Sequence, residues 1–215
     1  MGQAGRAGAL RRPFAFWHRT IEARPGSIGC VTDDELVRLA QAGDAGAFDQ
    51  LVVRHQSAVF RATLAALRSP EEAEEAAQDA LVRAWQKLGS FRGDAAFRTW
   101  LLSIAWNRAL SRRRSIAAWF ARRAPIEAAD RVRGDGAGPH DALRQRELTR
   151  HVAAAIDGLS PKLRDALLLA RAGEYGYDEI AAMLQVPVWT LKSRVFDARR
   201  KVKQRLAALG YVDGD

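Results

Sequence analysis

The side chains best placed for chemistry lie near the end of the chain, and they are cationic. Lys192, Arg194, Arg199, Arg200, Lys201, Lys203 and Arg205 crowd a stretch that holds one acid, Asp197. Guanidinium and ammonium groups at that density make charge-assisted hydrogen bonds to phosphate, so what they offer is a grip on a polyanion. Their spacing adds direction. Leu191, Val195, Ala198, Val202, Leu206 and Leu209 recur at steps of three and four, an apolar stripe that must pack on the rest of a domain. At about 100° per residue, Trp189, Ser193, Phe196, Asp197 and Arg200 then lie opposite the stripe, where a recognition helix meets base edges in the major groove. Lys192, Arg194, Arg199 and Lys201 flank that face and suit phosphates.

Such a helix needs another to hold it. Residues 177–184 supply one, with Ile180, Ala181, Met183 and Leu184 on its inward face, and Gln185, Val186 and Pro187 end it. Proline has no amide to donate and pushes the preceding residue out of the helical region, so the next helix starts at or just after it. Two patterned helices across so short a break read as a helix-turn-helix aimed at DNA. A charge run alone reads as a solvated face; the Gln-Val-Pro break is what favours DNA.

A second constellation, residues 91–114, interleaves aromatics with arginines. Phe97, Trp100, Leu101, Ile104 and Ala105 have helical spacing and are assigned to the core. Trp106, Asn107, Arg108, Arg112, Arg113 and Arg114 fall outside that stripe, and Phe91 and Arg92 precede it. Aromatic surfaces beside cations hold unpaired bases by stacking and charge, and a base drawn out of the duplex needs such a pocket.

A third patch has the opposite sign. Ser69-Pro70-Glu71-Glu72 opens a helix with an N-cap, a first-turn proline and a capping-box glutamate. Ala73, Ala76, Ala77, Ala80, Leu81, Ala84, Trp85 and Leu88 form its apolar stripe, and Glu71, Glu74, Glu75, Gln78 and Asp79 its outer side. The helix dipole explains Glu71 and Glu72 but fades beyond the first turn. The face is therefore either a solubilising surface or a protein-docking one.

Composition narrows the class. The 215 residues carry 34 Lys+Arg against 25 Asp+Glu, a formal net charge of +9 that attracts polyanions. With 48% hydrophobic residues the chain buries one medium core or two small ones. Cys30 is the one cysteine and cannot form an internal disulfide; with His18, His55, His140 and His151 scattered, no zinc-site spacing arises. No glycine-rich phosphate loop, metal spacing or nucleophile beside a histidine marks an enzyme, so no cofactor and no small-molecule substrate are expected. Arg11-Arg12-Pro13-Phe14 lacks the apolar run of an export signal, and Arg6 stands where an acylation motif wants Ser or Thr. No segment suits a bilayer, so no membrane insertion is expected and the chain reads as cytoplasmic.

No stretch alternates with period two, and Ala, Leu, Arg, Glu and Gln abound, so the expected fold is all-α. Thr32 to about Leu39 begins it with Asp33, Asp34 and Glu35 at the positive helix end, and Ala47 to about Leu67 follows. The run Arg133-Gly134-Asp135-Gly136-Ala137-Gly138-Pro139 cannot hold a helix. It divides the chain into a mobile basic extension (1–31), a helical unit (32–116), a flexible linker (117–143), a second helical unit (144–209) and a tail (210–215).

In order and spacing these pieces resemble the extracytoplasmic-function (ECF) sigma factors of bacterial RNA polymerase, from about Thr32 to Ala208 without the linker. Ala73-Glu74-Glu75-Ala76-Ala77-Gln78-Asp79-Ala80-Leu81-Val82-Arg83-Ala84-Trp85 is similar to the family's Ala-Glu-Asp-x-x-Gln-Glu-x-x-x-Arg-Ala-Trp. Residues 91–101 match Phe-Arg-Gly-Asp-x-x-Phe-x-Thr-Trp-Leu, and residues 104–107 match Ile-Ala-x-Asn. Leu159, Ser160, Pro161 and Arg164 match Leu-Ser-Pro-x-x-Arg; residues 177–181 match Tyr-x-Glu-Ile-Ala, and residues 190–194 match Thr-x-Lys-Ser-Arg.

The resemblance implies a sigma region 2 bundle and a region 4 helix-turn-helix. Glu74, Glu75, Gln78 and Asp79 would dock on core RNA polymerase. Phe91, Arg92, Trp106, Asn107, Arg108, Arg112 and Arg113 would melt the minus-ten element of promoter DNA and capture a base. Trp189, Thr190, Lys192, Ser193, Arg194, Phe196, Asp197, Arg199 and Arg200 would read the minus-thirty-five element. An anti-sigma factor covering both units is implied as a further partner. Four residues depart from the family pattern: Trp189 stands where a small residue is usual, Asp197 and Trp106 where basic ones are, and Ser111 where an acid is. Asp197 would accept from a cytosine amino group or pair with Arg194 or Arg200. The alternative reading is a two-domain helix-turn-helix regulator that is no polymerase subunit and binds duplex tightly alone.

Overall fold

The computed structural model of the protein describes residues 31–122, 139–172 and 175–211. Every regular element among them is helical: α1 (Asp33–Gln41), α2 (Ala45–Leu67), α3 (Pro70–Lys87), α4 (Phe97–Arg122), α5 (Pro139–Asp157), α6 (Pro161–Arg171), α7 (Tyr177–Met183) and α8 (Val188–Ala207), with one 3-10 turn, Leu88–Ser90, before α4. The expected linker is helical at both ends. No breaker stands between Ile116 and Arg122, so α4 runs on past residue 116, and Pro139 opens α5 at a first-turn position that suits proline. The basic extension, the middle of the linker and most of the tail lie outside the described residues.

The first unit is built around α3. Ala73, Ala76, Ala77, Ala80 and Ala84 are buried along one face, so α2 and α4 close on a surface of methyl groups. Trp85 fills the end of the seam against Phe48, ring centroids 4.9 Å apart. Thr63 of α2 seals the other end, its hydroxyl donating to Ala73 O at 2.9 Å. Ser69 caps α3 by accepting from Glu72 N, but the return half of the expected capping box does not form. Glu72 turns its carboxylate to Arg112 of α4 instead, because a cation offers more than a backbone amide.

α1 is held to α2 by charge. Thr32 and Glu35 close a full capping box at its start. Asp33 in the first turn accepts from Arg54 Nη1 at 2.9 Å and meets His55 Nε2 at 2.6 Å. His55 lies in turn against Phe97, 5.8 Å between ring centroids. Burial pushes the Asp33 carboxyl upward, but the hydrogen bonds and charges of Arg54 and His55 outweigh it and hold the group below its ordinary value.

In the second unit α8 packs on α5, α6 and α7. Two arginines that read in the sequence as charge act as fasteners. Arg164, the last residue of the Leu-Ser-Pro-x-x-Arg match, donates to the Ile156, Asp157 and Leu159 carbonyls and so fixes the α5–α6 turn. Arg205 donates to Ala155 O at 2.7 Å and Gly158 O at 2.8 Å, caps the same helix end and leaves the cationic face of α8. A Cβ at position 158 would stand 2.4 Å from Arg205 Nη1, so a side chain there would push this guanidinium off its carbonyls.

The two units meet where α7 lies on α4 and α6 on α2. Tyr175 donates its buried hydroxyl to Ala58 O at 2.7 Å. Arg98 binds Glu179, Arg113 binds Asp165, both at 2.9 Å, and Arg68 reaches Asp157 at 3.1 Å.

Because the folded Asp33 carboxyl titrates below the unfolded one, the stability it contributes is complete above about pH 4 and is lost as pH falls through its folded value. Asp33→Asn should therefore lower the melting temperature at neutral pH and flatten the acid limb of the stability profile. Equal slopes for both proteins in thermal melts across the acid range would remove this role.

Candidate nucleic-acid interface

The break between α7 and α8 is made by backbone geometry. Gln185 adopts a left-handed φ of 53°, Val186 N bonds to Ala181 O at 3.0 Å, and extended Pro187 is the N-cap of α8. Leu191, Val195 and Ala198 are buried, and Val202 packs on the core. Leu206 is half-buried, and the predicted stripe ends before Leu209, which is exposed because it lies past the last turn of α8.

Turned outward from α8 are Trp189, Lys192, Ser193, Phe196, Arg199, Arg200 and Lys201, all exposed, while Thr190, Arg194 and Asp197 are half-buried. Of the alternatives for Asp197, the structure has the pair with Arg200, at 2.9 Å.

In the second constellation Phe91, Phe97 and Trp100 form one aromatic cluster, with centroids 5.0 to 5.9 Å apart. Phe97 is buried as expected; Phe91 and Trp100 are half-buried and wall an open groove of about 370 Å³. Exposed Arg92 stands at its rim, Thr99 and Ser103 line it, and Ala182 of α7 closes one side. Trp100 is thus a groove residue as well as a core one, which helical spacing alone does not distinguish.

Trp106 corrects the sequence reading. It is 1% exposed and belongs to the core of the bundle, with no acceptor for Nε1 among the described residues. The apolar stripe of α4 is wider than the sequence spacing indicates, because α4 is covered on more than one side by α2, α3 and α7. Asn107 beside it is exposed.

Arg114 of this set is exposed, and its three other α4 arginines are engaged. Arg108 binds Asp79 at 2.6 Å, Arg112 binds both Glu72 and Glu75, and Arg113 binds Asp165. The hydrogen bond that Arg112 donates to Glu72, ahead of the opposing effect of burial, holds its guanidinium above its already high ordinary value. Glu74 and Gln78 are half-buried; Glu75 and Asp79 are exposed. The acidic face of α3 and the cationic face of α4 are therefore two sides of one stitched seam. Sequence reasoning had no signal for Asp165, Glu179 or Tyr175, whose partners stand 52, 81 and 117 positions away.

An all-helical chain ending in a helix-turn-helix, with an uncovered cationic face on the second helix, belongs to the class of transcription proteins that meet DNA. Comparison with known proteins gives the family. Sigma-70 region 2 matches residues 51–120, and Sigma-70, region 4 matches residues 150–202. The RNA polymerase sigma-H factor of Pseudomonas aeruginosa is 35% identical over 183 residues, covering 82% of this chain and 95% of that one. The ECF RNA polymerase sigma-E factor of Escherichia coli K12 is 34% identical over 190 residues, 83% and 96% of the two chains. Among solved structures, the sigma factor RpoE in complex with the anti-sigma factor NepR from Bartonella quintana superposes with a TM-score of 0.53 at 26% identity, covering 78% of this chain and 98% of that one. The chain belongs to the ECF group of the sigma-70 family of RNA polymerase sigma factors. Among the described residues no helix is long and apolar enough to cross a membrane.

Burial of Trp106 makes it a stability residue. Trp106→Ala should cost about 3–5 kcal/mol in urea unfolding. A variant of unchanged stability that had lost promoter opening alone would restore the sequence reading.

Proposed function

We propose that this chain brings core RNA polymerase to its promoters through three surfaces. The outward face of α3, with Glu74, Glu75, Gln78 and Asp79, docks on the polymerase. The groove walled by Phe91 and Trp100, with Arg92 at its rim and Asn107, Arg108, Arg112 and Arg113 along α4, opens the minus-ten element and holds an extruded base. The helix α8 lies in the major groove of the minus-thirty-five element. The observation that carries this reading is the uncovered face of α8, opposite a stripe buried to 2% exposure or less at Leu191, Val195 and Ala198. The polymerase makes and breaks the bonds; the chain itself is no enzyme, and it acts in the cytoplasm where the polymerase works.

Contact between the two units bears on when this happens. Arg98 and Arg113 of α4 are held by Glu179 and Asp165, and Ala182 stands over the groove. The closed arrangement supports weak promoter binding by the chain alone and release of the minus-ten surface on the polymerase. RpoE was solved with an anti-sigma factor, and a protein of that kind is proposed to hold this chain in its closed form.

Purified chain should confer initiation on core polymerase in transcription from fragmented genomic DNA; tight operator binding unaided, with no initiation on any template, would instead favour a free-standing regulator. Gln78 is the docking residue that carries no charge, and its amide donates to Glu74 Oε1 at 3.5 Å. Gln78→Lys should weaken polymerase binding about tenfold or more with unchanged melting, and equal retention on immobilised core enzyme would remove α3 from the interface. Arg199→Ala should reduce the slope of log affinity against log salt by about 0.9 for holoenzyme on all promoters alike. An unaltered slope would mean that Arg199 touches no phosphate.

A further inference from the structure

Trp189 and Phe196 are the most exposed large apolar side chains among the described residues, at 73% and 66%. They stand seven residues apart on α8, so at about 100° per residue they point within about 20° of each other. With a rise of about 1.5 Å per residue their Cα atoms lie about 10 Å apart along the helix, close to three base-pair steps at about 3.4 Å each. Over the turns that carry this pair the polar side chains of the sector are Ser193, Asp197 and Arg200, the last two paired at 2.9 Å, and Lys203 and Gln204 follow one turn further on. Lys192 and Arg199 on one side and Arg194 and Lys201 on the other remain as a cationic rim.

A face apolar along its centre and cationic at its edges matches the major groove of duplex DNA. Phosphates line its rims, and the apolar group that its floor offers is the C5 methyl of thymine. We propose that Trp189 and Phe196 each read a pyrimidine C5 methyl, so that α8 selects thymines about three base pairs apart in the upstream element by apolar contact. This rests on α8 being the promoter-facing helix and adds which base atoms it recognises.

Deoxyuridine in place of thymidine removes the methyl and keeps every hydrogen-bonding group, so it isolates the contact. An upstream element is first selected with wild-type holoenzyme from randomised templates. Each thymine in it is then replaced by uracil, and holoenzyme affinity is measured. The expected result is a loss of about fourfold at two positions about three apart, with Trp189→Ala insensitive to uracil at one and Phe196→Ala insensitive at the other. An element without thymines, uracil templates bound as well as the parent, or variants that keep both sensitivities would overturn the proposal and leave the sigma reading standing. Holoenzyme that initiates on no template overturns both.

Discussion

The close approach of α2 and α4 across the alanine face of α3 is the constraint on which the first unit depends. Five alanines, each 0–1% exposed, make most of that face, with Leu81 the one longer side chain buried among them. Larger residues stand at the end, where Trp85 meets Phe48, and on α4, where Phe97, Leu101, Leu102 and Trp106 are buried. Only at that separation do Arg108 and Arg112 of α4 reach Asp79, Glu72 and Glu75 across the seam. Replacing any of these alanines with a larger residue would wedge the helices and part the ion pairs.

Those ion pairs join two proposed functions in one structure. The carboxylates belong to the surface assigned to the polymerase, and the guanidiniums to the surface assigned to the melted strand. Asp79 and Glu75 are 52% and 63% exposed in their side chains, so their pairs contribute little net stability. What weakly stabilised pairs do permit is exchange. A carboxylate engaged by a partner's cations frees an arginine for phosphate, and the two surfaces can be coupled at low energetic cost.

How much of this was legible in the sequence depends on the range of the interaction. Turn chemistry and period are local, so the Gln-Val-Pro break, the α3 stripe and the outward residues of α8 were readable from spacing alone. Trp106 was misread because a helical wheel assumes one covered face, and α4 is covered on several. Arg164 and Arg205 look like part of the charge pattern, yet carbonyls at the end of α5 claim them. The contact between the units, with Tyr175 reaching Ala58, joins side chains and backbone that no pattern of charge or period relates.

The difference between the two sets of cations gives the proposed mechanism an order. On α8, Lys192, Arg194, Arg199 and Lys201 form no ion pair among the described residues, so they can meet phosphate without first losing a partner. On α4, Arg108, Arg112 and Arg113 each hold a carboxylate, and Arg113 holds one from the other unit. Counterion release favours the ready cations first, so in the proposed mechanism the upstream duplex would be gripped while the minus-ten surface was still engaged with its own chain. In that mechanism the groove at Phe91 and Trp100 would open as α7 left it, and α7 would leave with α8, to which it is joined by the turn at Gln185. Upstream recognition and exposure of the strand-opening surface are thereby tied through one short loop.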